Sequence, residues 1–205
     1  MQKLLTLSIL AILMASCGNP VKITEVRNKE GLLLELYNRD MLTGSKEGYY
    51  TRFYPNGDIS EEGWYRNDTL HGQRIRYYEG NKKKYIENYR HGKLSGDFRA
   101  YHEDGALKCD YEFLDGKATG IWKTYYHNRQ LKEVVTYKDD KLNGPYLEYY
   151  PNGKAKAKGV YMNGPNRHGL FEIYDVYGIL VKEMICTFGD CQTIWREKSN
   201  AVEEL

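Results

Sequence analysis

Few residues of this chain have the type and spacing to do covalent chemistry. The five histidines are His71, His91, His102, His127 and His168. His71, His91 and His168 each precede a glycine in a turn-like segment, where a turn accounts for them without a ligand role. The sequence contains no HExxH, no CxxC, no Gly-rich phosphate loop and no GxSxG. Acidic neighbours such as Glu61-Glu62 and Asp139-Asp140 fall near strand ends and turns, not in the facing arrangement that general acid–base work needs. Lys82-Lys83-Lys84 reads as an exposed charged strand end. The chain is therefore expected to be non-catalytic, with no metal site and no cofactor.

The four cysteines carry the remaining chemistry. Lys3 is followed by Leu4 to Ala15 without a charge, too short to cross a bilayer as a helix, and the run ends in Met14-Ala15-Ser16-Cys17. This resembles a bacterial lipoprotein signal, which implies cleavage before Cys17 and lipid attachment there. Residues 1–16 are then a signal peptide, and the mature chain is exported and held at the cell envelope by its lipid. In that oxidising compartment Cys186 and Cys191 are close enough to close a short loop, leaving Cys109 as a small buried hydrophobe.

Composition limits the rest. Lys and Arg number 30 against 28 Asp and Glu, so a net charge of +2 provides no global basic field and argues against a nucleic-acid partner. The hydrophobic fraction of 41% is enough to fold. The bias is toward 20 Tyr and 20 Gly, the residues of strands and turns, and so toward an all-β protein.

The glycines also count out a period. Gly48, Gly72, Gly96, Gly120, Gly144 and Gly169 are separated by 24, 24, 24, 24 and 25 residues. Each opens a unit of two strand-like runs, with Asn56-Gly57, Asp104-Gly105 or Asn152-Gly153 between them. These dipeptides suit two-residue hairpin loops. The sequence thus predicts an extended antiparallel sheet of about six consecutive 24-residue β-hairpins over 48–191. Residues 17–47 supply the lipid anchor, a linker and an N-terminal β cap; residues 192–205 supply a C-terminal cap and polar tail.

Loops at those dipeptides fix a register. His102 faces Leu107, Ala100 Cys109, Phe98 Tyr111 and Gly96 Phe113; in the next unit Tyr126 faces Leu131 and Trp122 Val135. These positions form an apolar face with Phe98, Trp122, Tyr146 and Phe171. Tyr65, Tyr89, Phe113, Tyr137 and Tyr161 each stand opposite a unit's glycine, so that ring shields bare backbone. On the other face Tyr77, Tyr101, Tyr125 and Tyr149 meet Lys84, Lys108, Lys132 and Lys156 in a Tyr/Lys ladder, the candidate binding surface.

The spacing, aromatic pairs such as Tyr125-Tyr126 and Tyr149-Tyr150, the Asn-Gly turn and closings such as Asn163-Gly164 and His71-Gly72 resemble MORN repeats. More narrowly, they resemble the bacterial variant of the YwqK antitoxin family. The resemblance implies a sheet of successive hairpins serving protein or membrane-surface contact. The expected function is a monomeric envelope lipoprotein that binds a protein partner, antitoxin-like or immunity-like in the narrowest form. A module for lipid headgroups or glycans is the alternative.

Overall fold

The computed structural model describes residues 19–196; the signal segment and Cys17 lie outside the described residues. Sixteen strands form one antiparallel sheet and there is no helix among the described residues. The N-terminal cap is β1 (Val21–Arg27) and β2 (Leu33–Asp40). The hairpins follow as β3 (Lys46–Phe53) with β4 (Ile59–Arg66), and β6 (Gly72–Tyr77) with β7 (Lys83–Arg90). Next come β8 (Lys93–Tyr101) with β9 (Leu107–Leu114), and β10 (Lys117–Tyr125) with β11 (Leu131–Lys138). The last two are β12 (Lys141–Tyr149) with β13 (Ala155–Tyr161), and β14 (Gly169–Tyr174) with β15 (Leu180–Thr187). A two-residue β5 (Thr69–Leu70) pairs beside β6 on β4. Apart from β5, each strand bonds to the next along the chain, and β16 (Asp190–Arg196) extends the sheet as its far edge strand.

The loops inside the units have three residues, not two. The His102 amide donates to Ala106 O at 2.8 Å and the Gly105 amide to His102 O at 2.9 Å, with Gly105 at φ +83°. This is a type I turn closed by a left-handed glycine, and the same pair of bonds recurs at Tyr150 to Lys154. Pro55 and Pro151 stand at the first turn position, which their fixed φ suits. The two-residue turns lie between units, where both central residues have positive φ: Asn67-Asp68 at 49° and 59°, and Asp139-Asp140 at 50° and 65°. His91-Gly92 and Asp115-Gly116 do the same, so Asp139-Asp140 and His91 serve backbone geometry.

A bulge reconciles the longer loop with the expected register. Away from the loop, Phe98 faces Tyr111 and Ala100 faces Cys109, but Tyr101 faces Leu107, so Lys108 is left over. His102 therefore does not face Leu107, nor Tyr126 Leu131; the residue paired with Leu131 is Tyr125. The extra residue is Lys84, Lys132 or Lys156 in the second, fourth and fifth units.

The unit glycines do face their rings: Gly48 Tyr65, Gly96 Phe113, Gly120 Tyr137 and Gly144 Tyr161. What demands glycine is different. Gly96 sits at φ +107°, and a Cβ there would lie 3.3 Å from Asn88 Cβ in the preceding hairpin, not against Phe113. At Gly120 a Cβ would fall 2.0 Å from Glu112 Oε2. Left-handed backbone and a neighbouring hairpin's side chain, rather than an overlying ring, exclude larger residues.

Candidate binding surface

The two sheet faces are unequal. Phe98, Tyr111, Trp122 and Tyr137 pack on one another along the first face, with centroids 4.1 Å apart for Tyr111 and Trp122 and 4.3 Å for Trp122 and Tyr137. Tyr146 stacks on Phe171 at 5.8 Å. Alternation places the buried Tyr50, Ala100, Cys109, Val135, Ala157, Phe171, Met184 and Cys186 on this side. Lateral stacking substitutes for a second layer, and each aromatic contact adds about 0.5–1.5 kcal/mol beyond its burial.

This face is not apolar throughout. Toward the N-terminus it carries a chain of ion pairs: Lys46 and Arg52 on Glu35 at 2.6 and 3.4 Å, Arg52 on Glu61 at 3.3 Å, and Arg74 and Arg76 on Glu87 at 2.7 and 3.2 Å. Arg74 takes the row position that Phe98 and Trp122 hold in later units, and its guanidinium also donates to the Tyr89 hydroxyl at 2.6 Å. Glu87 is buried with both guanidiniums on it, so removing both cations would leave a costly unpaired charge. Within the network only Arg76 Nε is buried without a hydrogen-bond partner.

The proposed Tyr/Lys ladder does not exist as one surface. Tyr77 donates to Glu62, and Tyr125 lies near Asp110 and Arg99, on the side away from the stack; burial, then Asp110, pushes the Tyr125 hydroxyl's pKa up. Tyr101 and Tyr149 share that side by alternation. The bulged lysines turn to the other side. Lys84 Nζ lies 4.9 Å from the Tyr78 ring, Lys132 Nζ 5.8 Å from Tyr126, and Lys156 Nζ 5.9 Å from Tyr150 while bonding Glu148 at 2.7 Å. Lys108 is exposed, and its unit has His102 where the others have a second tyrosine.

The face that keeps the tyrosines also carries a row absent from the sequence reading. Ile121 faces Thr136, Pro145 faces Val160 and Leu170 faces Ile185, continuing across β10 to β15. Ile121 is 56% exposed, Leu170 46% and Ile185 45%. The equivalent row is polar in the middle units, Gln73 with Asn88 and Asp97 with Glu112, and aromatic in the first, where Tyr49 meets Trp64. The signal was present in the residue after each unit glycine.

Neighbouring units are tied by hydroxyls. Tyr54 donates to Tyr77 O, Tyr78 to Tyr101 O, Tyr126 to Tyr149 O and Tyr150 to Tyr174 O, at 2.7 to 3.0 Å. The family model for the MORN repeat variant matches residues 46–67, 70–91, 118–139 and 142–163. These four segments are MORN repeats. Each ends on the first residue of an inter-unit turn, Asn67, His91, Asp139 or Asn163. The third and sixth hairpins, outside the matched segments, repeat the same antiparallel hairpin pairing through β8 with β9 and β14 with β15. No curated protein matches the chain.

The reactive residues are dispersed. His102 and His127 meet with centroids 4.9 Å apart, His127 Nε2 lying 3.2 Å from Asp104; His71 meets His91, and His168 packs on Phe188. Among the described residues no group of three His, Cys, Asp or Glu is placed to hold a metal ion. Cys186 and Cys191 face each other across β15 and β16 and are joined as a disulfide; Cys109 is free and buried, with burial pushing its thiol pKa up.

Proposed function

We propose that this MORN-repeat protein is a non-catalytic scaffold that binds a protein partner at a bacterial cell envelope, through the face opposite its aromatic stack. The exposed row of Ile121, Val160, Leu170 and Ile185 carries the reading. Exposed aliphatic side chains on one face of several strands, with no layer of the fold upon them, are what a macromolecular contact requires. Tyr125 and Tyr149 on the same face add large contact area at little rotamer cost. The envelope location is supported by the uncharged run from Leu4 to Ala15 and by Cys17, whose lipidation would anchor the mature chain. An antitoxin or immunity role, with a toxin as the partner, is the narrower form suggested by the YwqK-like period.

The test is capture from envelope extracts with the processed chain. A stoichiometric protein is expected, lost with Leu170→Ser/Ile185→Ser and retained with Lys84→Ala. Recovery of lipid or glycan in place of protein would favour the headgroup or glycan module instead.

A further inference from the structure

We infer that the turn joining β2 to β3, together with Lys22 and Arg39, is a second membrane contact that seats the N-terminal end of the sheet on an anionic bilayer. The inference rests on the lipid anchor proposed at Cys17, and it concerns a part of the chain outside the MORN repeats.

Position is the first argument. Asn19 is two residues from Cys17, so even a fully extended connection spans only about 7 Å. The exit is also held firmly. Asp40, 4% exposed, accepts from Asn19 Nδ2 at 2.7 Å, from the Leu42 amide at 2.7 Å and from the Thr43 amide at 3.0 Å. The Met41 amide donates to Pro20 O at 2.9 Å. One carboxylate thus binds the anchor exit to the turn, and a lipid on Cys17 would bring the turn to the membrane surface.

Chemistry is the second. The turn presents Met41 at 55% exposure and Leu42 at 73%. Lys22 and Arg39 are cross-strand partners, and neither has an acidic partner within 4 Å among the described residues. With Met41 and Gly44 they line a recess of about 430 Å³. The two carboxylates along it are engaged elsewhere, Glu25 with Arg27 and Asp40 in the clamp. Apolar tip beside unpaired cations is the composition that suits acyl chains below and lipid phosphates above.

The test uses the processed chain, residues 17–205, with Cys17→Ser so that no lipid contributes. Co-sedimentation with phosphatidylglycerol/phosphatidylethanolamine vesicles is compared with phosphatidylcholine vesicles. Binding to the anionic vesicles is expected, weakened about tenfold by Leu42→Asp and about fivefold by each of Lys22→Gln and Arg39→Gln, with melting temperatures unchanged. No preference for anionic vesicles, or binding indifferent to all three substitutions, overturns the contact. Lipidation is scored separately, by mass spectrometry of Cys17 in the full chain expressed with its own leader. Loss of the anchor and loss of the contact are therefore different results.

Discussion

The Tyr126 hydroxyl donates to the main-chain carbonyl of Tyr149, 23 residues further along, at 2.8 Å. The bond crosses from one hairpin to the next at the loop end, where the bulges interrupt regular pairing. In a stack of repeats, interfaces between neighbours determine whether units melt together. Tyr126→Phe keeps the ring and removes the donor, so it should cost about 0.5–1.5 kcal/mol. Denaturant titration checks this; an unchanged midpoint would show that the hydroxyl adds nothing over water.

His102 occupies the corresponding position in the third unit, and its ring lies against His127 instead of reaching the next hairpin's carbonyl. His102→Tyr should supply the missing bond and stabilise the array by about 0.5–1.5 kcal/mol. The gain should vanish when the aromatic ring is restored without the donor, in His102→Phe. Equal gains from Tyr and Phe would attribute the effect to packing.

Glu133 faces Glu148 across β11 and β12, while Glu148 is held by Lys156 and by the Tyr146 hydroxyl. Burial first, and the Glu148 charge second, push the Glu133 carboxyl up from its ordinary 4.5. The folded chain therefore holds this proton more tightly than the unfolded chain. As pH rises through 4.5 and on through the raised value, the unfolded state ionises first and stability falls. Glu133→Gln should be more stable than the parent at neutral pH and lose that advantage below the ordinary glutamate value. A neutral-pH melt lower than the parent's would mean that the carboxylate has a partner that glutamine cannot replace.

The hairpin architecture was legible because it rests on period. Glycines at fixed spacing, aromatic pairs and turn dipeptides recur, so each unit checks the others. The faces were read correctly near the glycines and incorrectly near the loops. An Asn or Asp before glycine suits two quite different turns, and at Asn56, Asp104 and Asn152 sequence alone did not separate a two-residue loop from the three-residue loop plus bulge that forms there. That one residue moves Lys84, Lys132 and Lys156 away from Tyr77, Tyr125 and Tyr149, because side-chain direction depends on local register. The ion-pair chain was hidden for another reason: Arg74 stands where aligned units have an aromatic ring, and its partners Glu61 and Glu87 come from two different strands. The turn at Met41 and the Asp40 clamp fall outside the period altogether.

The two faces predict opposite consequences for equally drastic substitutions. Trp122 is half-buried between Tyr111 and Tyr137, with Phe113 5.2 Å away, and its indole N–H donates to the carbonyls of Thr119 and Glu112 at 3.0 Å. Trp122→Ala removes several ring contacts from a single-layer sheet and should cost about 2–4 kcal/mol. Tyr101 and Tyr125 lie on the other face, outside that stack, so replacing both by Ala should disturb folding less and partner binding more. The expected binding loss exceeds about 2 kcal/mol, the scale of an interface hot spot, and should resemble that of Leu170→Ser/Ile185→Ser. Each variant needs a binding titration and a thermal melt. If Trp122→Ala melts like the parent but no longer binds, while the tyrosine and aliphatic variants bind normally, the partner sits on the aromatic stack and the opposite face is only solvated.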